Sequence, residues 1–190
     1  MGNSKLNFYR ISLKDGTNVT QDKKAKSLSF FCNNHPVLID ANIVNELKEL
    51  SRKYDNANCR ICMHNAPDDD HHDMIILEKK DHYYPPHRHE YVGETFHMIE
   101  GSMGIFSFNN DGTVLDCVVL KKNEIYRIAK GSFHAIFPLS DYVVYHEGRK
   151  GPFLGENDSL LPDWAPNKGD LEEIKIYMKD HEKILKMSQS

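Results

Sequence analysis

Residues 85–101, Pro-Pro-His-Arg-His-Glu-Tyr-Val-Gly-Glu-Thr-Phe-His-Met-Ile-Glu-Gly, decide how this chain is read. A proline pushes the residue before it towards extended geometry, so Pro85-Pro86 leads into the histidine pair as extended chain. Side chains alternate along a strand; His87 and His89 therefore point the same way and can hold one ion from a single wall. Glu94 returns to that wall after a short turn, and Thr95 to Ile99 reads as a strand that stops at Glu100-Gly101. Neutral imidazoles with a carboxylate make a mixed nitrogen and oxygen set that suits one divalent transition metal: iron, manganese, nickel, copper or zinc. The competing reading is two solvated histidines on an edge strand beside a surface glutamate. A second histidine signal, Gly131-Ser132-Phe133-His134, lies one hairpin downstream.

Working outward, these residues carry a family resemblance. The segment resembles the first motif of the cupins, a histidine pair followed by a glutamate and a turn glycine. Gly131-x-x-His134 resembles the second motif, and the resemblance implies His134 as the last ligand. Asp81, Ala129 and Pro138 depart from the usual motif residues at turn and loop positions and leave the ligands intact. The chain is more closely similar to the WbuC-type cupin metalloproteins from about Val37 to Asn167. That likeness rests on Asn58-Cys59-Arg60-Ile61-Cys62-Met63-His64, Pro86-His87-Arg88-His89, Gly148-Arg149-Lys150-Gly151-Pro152-Phe153 and Trp164-Ala165-Pro166. It implies a mostly β protein with a single cupin barrel, of the double-stranded β-helix or jelly-roll kind. It also implies a sugar or nucleotide-sugar context in surface polysaccharide synthesis.

Composition sets the outer bounds. A chain of 190 residues fits one domain with short extensions. The formal charge of −4 is gathered into no basic block, so nucleic acid is not an expected partner. No apolar run is long enough to span a bilayer, and no apolar stretch follows the polar start as in a secretory signal; a cytoplasmic protein is expected. The four cysteines are irregularly spaced, and Cys59 and Cys62 face opposite sides of a strand, which argues for free thiols rather than zinc or redox chemistry.

Along the chain, residues 1–36 read as an N-terminal extension with edge strands at Phe8–Leu13 and Ser27–Cys32 and a loop over 18–27. Residues 37–150 read as the barrel preceded by a helix, with Asp40 as its N-cap and Ile43, Val44, Leu47 and Leu50 at helical spacing. Short alternating runs then follow from Cys59 to Glu147, with Asp111-Gly112 as a hairpin turn. The acidic run Asp68 to Asp73 reads as a solvated turn. Residues 151–190 read as a coil carrying Trp164, then a helix capped by Asp170. The apolar stripe of that helix, Ile174, Tyr177, Met178 and Leu185, fits either the barrel or a second subunit in a homodimer.

Around the metal, Arg60 and His64 share a strand face by parity and are the expected binders of an anionic or sugar substrate. Tyr84 and Glu147 are the candidate catalytic groups. His97 falls on the opposite parity from Glu94 and reads as structural. The function expected is a metal-dependent isomerase or epimerase on a small sugar-like molecule, because a metal that polarises a carbonyl makes the adjacent proton removable. An iron(II) oxygenase and a non-catalytic metal-dependent binding module use the same ligands and stand as alternatives.

Overall fold

A computed structural model describes residues 10–188. The strands are β1 (Val19–Gln21), β2 (Leu28–Cys32), β3 (Cys59–Cys62), β4 (His71–Lys79), β5 (Glu94–Glu100), β6 (Ser102–Phe108), β7 (Val114–Lys121), β8 (Ile125–Ile128), β9 (Phe133–Pro138) and β10 (Tyr142–Lys150). The helices are α1 (Ala41–Lys53) and α2 (Leu171–Met187). The fold is mostly β, as expected, with one helix ahead of the metal-motif strands and one after them. A seven-stranded sheet in the order β1-β2-β3-β4-β10-β5-β8 faces a three-stranded sheet in the order β7-β6-β9.

Strict alternation distributes the side chains over four layers. Cys62, Met74, Ile76, Phe96, Met98, Val143 and Tyr145 of the large sheet meet Met103, Ile105, Leu120 and Ile136 of the small one, and this contact is the inner face of the barrel. The other face of the large sheet buries Cys59, Ile61, Ile75, Leu77 and Val144 beneath Ile43, Val44 and Leu47 of α1. Asp40 starts that helix by accepting hydrogen bonds from the backbone of Asn42 and Ile43. The outer face of the small sheet buries Phe106, Phe108, Ala135 and Phe137 beneath α2. The stripe on α2 therefore packs on the barrel. Trp164 rests against Phe108 and Phe133 and donates from its indole to the Asn110 carbonyl, which makes it a packing anchor. All four cysteines are free; Cys59 lies in the layer under α1 and Cys62 on the inner face.

Three local expectations need correction. Phe8 and Tyr9 lie outside the described residues, and Arg10 to Leu13 is not a strand. Its polar groups turn to α1 instead: the Leu13 backbone and the Ser12 hydroxyl both donate to Glu46. The loop expected over 18–27 contains β1, which pairs antiparallel with β2, so β2 is an interior strand that also pairs in parallel with β3. A three-residue strand with one buried side chain, Val19, shows no periodicity to read. Finally, β4 begins at His71, so the end of the acidic run is strand rather than turn.

Gly104 marks how closely α2 docks, since a side chain there would begin 2.7 Å from the methyls of Leu185. Leu185 is 3% exposed. Leu185→Ala should cost about 2–5 kcal/mol in urea unfolding, the range for emptying a packed aliphatic site, with the inner-face site untouched.

Candidate metal centre

His87 and His134 are brought together by the backbone. The His87 amide donates to the His134 carbonyl at 3.0 Å, and the His134 amide returns the bond at 2.9 Å, so residues 87–89 dock beside β9. On the other side of this segment Arg88 pairs in the same way with Leu160. Glu94 opens β5 and shares its inner-face parity with Phe96 and Met98, while His134 on β9 alternates with the outward Phe133 and Ala135. One candidate ligand atom from each of His87, His89, Glu94 and His134 falls within 4.8 Å of the other three, and among the described residues no other group of this kind occurs. His89, Glu94 and His134 are buried to 5%, 4% and 2% exposure.

Hydrogen-bond accounting shows what the cluster is built for. The Nδ1 of His87 faces the Pro85 carbonyl at 3.1 Å, that of His134 the Ser132 carbonyl at 3.1 Å, and that of His89 the Asp158 carbonyl at 2.6 Å. A neutral imidazole has one N–H, and in each ring a carbonyl takes it, which turns the lone pair of Nε2 inward. The inward nitrogens of His89 and His134 nevertheless lie 2.8 Å and 3.0 Å from the Glu94 oxygens. A nitrogen lone pair and a carboxylate oxygen at that distance repel unless a positive charge lies between them. An extra proton or a metal ion supplies it. The four residues thus fit a divalent transition metal and can hold one.

The electrostatics agree. Burial lowers His87 to about 4, with the neighbouring His134 adding to the effect, so its imidazole is neutral and available as a ligand. For His89 burial opposes the charged form, but the hydrogen bond and charge of Glu94 outweigh it and raise the pKa. Burial also opposes ionisation of Glu94, yet hydrogen bonds from His134 and His89 hold its carboxyl well below the ordinary range. A fixed cation braces the cluster: Arg149 Nη1 donates to Glu94 Oε1 at 3.2 Å, and its Nη2 is paired with the carboxylate of Asp158.

The other expected residues fall in different places. By register, Glu147 lies opposite Met74 and Arg60 opposite Ile76. Both therefore face inward, Arg60 lying one inward position, roughly 7 Å, deeper than Glu147. Arg60 donates from Nε to Ser29 at 2.9 Å and makes no ion pair among the described residues. Burial raises Glu147 well above the ordinary carboxylate range, and the charge of Glu94 adds to the shift. His64 lies past the end of β3, buried and stacked on His72 with ring centroids 4.0 Å apart, and burial lowers it to about 4. It is separate from the four-residue cluster. The Tyr84 hydroxyl is held by other groups, donating to the Lys79 carbonyl at 3.2 Å and accepting from Asn58 at 2.8 Å.

Two residues here were not singled out from sequence. Glu78 shares the inward parity of Met74 and Ile76, accepts a hydrogen bond from Tyr145 at 3.1 Å, and is raised by burial to about 7. Its parity with two apolar core positions was the available signal. Asp158 comes from a coil with no periodicity, and no sequence signal marked it.

A family model described as a domain of unknown function (DUF6016) matches residues 39–120, which include His87, His89 and Glu94 but not His134. No curated protein matches the chain. Among solved structures, oxalate decarboxylase from Bacillus subtilis at pH 4.6 aligns with TM-score 0.46 and 15% identity over 55% of this chain and 27% of that one. KdgF from Halomonas sp. aligns with TM-score 0.42 and 13% identity, over 50% of this chain and 80% of its own. The Schizosaccharomyces pombe Cnp3 cupin domain aligns at 0.42 and 8%, over 49% and 64%. Cupin-fold proteins are thus among the similar structures.

Protein purified without affinity-resin metal should carry about one transition metal per chain by elemental analysis, and His89→Ala should abolish it while the circular dichroism stays native. Asp158→Ala, which removes the partner of Arg149 and loosens the carbonyl that orients His89, should lower metal affinity about 10–100-fold in a chelator competition.

Proposed function

We propose that the chain is a metal-dependent enzyme of the isomerase or epimerase type, acting on a sugar-like substrate that carries an anionic group. The observation that carries this reading is the inner face beyond the ligands, where an acid and an unpaired guanidinium lie in order below the cluster. His87, His89, Glu94 and His134 would hold the ion, which when bound polarises a substrate carbonyl and acidifies the adjacent C–H. Arg149 keeps Glu94 oriented. Glu147, which burial raises well above the ordinary carboxylate range, is the group suited to move a proton at that carbon. Arg60 is the anchor for the anionic group.

Arg60, Glu78 and Glu147 are each half-buried. A guanidinium that forms no salt bridge among the described residues, although Glu78 and Glu147 feel its charge, favours a substrate that brings a carboxylate or a phosphate. The surface-polysaccharide setting rests on the sequence resemblance alone.

The test is incubation of metal-loaded protein with a panel of keto-sugars and sugar phosphates in deuterated water, with and without oxygen, read by mass spectrometry. Deuterium should enter the substrate without oxygen. Glu147→Gln should slow the exchange about 10²–10⁴-fold at unchanged metal content, and Arg60→Ala should raise KM for the anionic substrates. Oxygen uptake instead of exchange would replace this reading with an oxygenase; binding with neither would leave a binding module.

A further inference from the structure

The outer face of the large sheet is only half covered. α1 packs over Ile75, Leu77 and Val144, but the end of the sheet behind the metal centre carries no helix. An open groove of about 910 Å³ lies there, between the ends of β4, β10, β5 and β8. Its shape follows from the register. Asp73, Gly148, Thr95 and Arg127 form one continuous row across four strands, so the two central positions are small, with a carboxylate on one side and a long guanidinium side chain on the other. Gly148 matters to the floor, since a side chain there would begin 3.3 Å from both Asp73 and the ring of His146.

The charge is as uneven as the shape. Arg127, Lys130 and Lys150 converge on the groove, and none of them makes an ion pair among the described residues. Among the described residues Asp73 is the only acid lining it, and it is engaged by two histidines: His146 at 2.8 Å and His71 at 3.2 Å. A chain of net charge −4 thus gathers three free cations around one trough. Tyr91 stands at its rim, 71% exposed, in the turn between ligands His89 and Glu94.

We propose that this groove binds a small phosphate-bearing ligand, with the phosphate held by Arg127, Lys130 and Lys150. Three cations over a small-residue floor suit a compact dianion or trianion, because charge-assisted hydrogen bonds to phosphate are the strong kind and the floor lets the ligand approach the backbone. The site is separate from the metal centre and lies on the reverse of the strands that present Glu94 and Arg149. A ring carried on the phosphate would meet Tyr91.

The test uses calorimetric titration of the full chain with inorganic pyrophosphate and with ADP at 0.15 M salt, on wild type, His89→Ala, Arg127→Gln/Lys130→Gln and Tyr91→Ala. Saturable binding of one ligand per chain is expected, retained in His89→Ala and weakened at least about tenfold in the double variant. ADP binding more tightly than pyrophosphate, with the difference lost in Tyr91→Ala, would assign a nucleotide; equal affinities would assign a plain phosphate compound. Lys150→Gln gives a second reading if the double variant fails to fold. Non-saturating heat, affinity unchanged in the charge variants, or binding lost in His89→Ala would overturn the proposal, the last by moving the ligand to the metal centre.

Discussion

Everything near the centre of this barrel answers to one carboxylate taken out of water. Glu94 is almost fully buried, and an isolated ion there would cost several kcal/mol in lost hydration. Each of the three histidines commits one nitrogen to a backbone carbonyl, so His89 and His134 donate to Glu94 only when they carry an extra proton. The fixed donor left to Glu94 is Arg149, and Arg149 is itself buried and needs Asp158 to neutralise it. The coil after β10 thus closes over the cluster because a buried charge chain ends there. Its docking is electrostatic as well as apolar.

The second constraint is the period of two. In the large sheet both faces are covered for part of their length, so one strand must satisfy two environments in alternation. β10 shows it: Val143, Tyr145, Glu147 and Arg149 face the barrel, while Val144 packs under α1 and His146 and Gly148 face the open groove. The apolar pairs lie at one end and the charged ones at the other. This gradient along a single strand puts polar chemistry on both sides of the sheet at the same level.

Much of this was legible because local signals agreed with tertiary ones. Both helices carry their N-cap aspartates where the apolar stripe begins, Asp40 and Asp170, and the hairpin at Asp111-Gly112 separates two well-patterned strands. The histidine pair and Glu94 were readable because ligand geometry on a strand is a matter of spacing. The rest depended on information that spacing does not hold. Glu78 requires knowing that β4 faces inward at its far end, and the nearness of Tyr84 to His87 in sequence does not show that its hydroxyl is taken by Asn58 and Lys79. His64 was assigned by strand parity, but the strand ends at Cys62 and the alternation ends with it. Asp158 belongs to irregular chain whose position is fixed by long-range bonds alone.

The placement of acids and bases inside the barrel also has a direction. Glu94, at the cluster, is held ionised by the histidines; Glu147, next inward on the neighbouring strand, is pushed towards the neutral acid partly by the charge of Glu94. Two carboxyls that sense each other cannot both ionise cheaply in a desolvated space, so the histidines' hold on the first adds to the burial that opposes ionisation of the second. Arg60 lies beyond both, close enough to favour the charged form of Glu147 without forming a salt bridge to it. The interior is therefore graded: a carboxylate among histidines, then an acid whose ionisation burial opposes, then a guanidinium that forms no salt bridge among the described residues. An apolar ligand would gain little from that gradient. The proposed substrate, with oxygens at the ion and an anionic group beyond, would match it at every step.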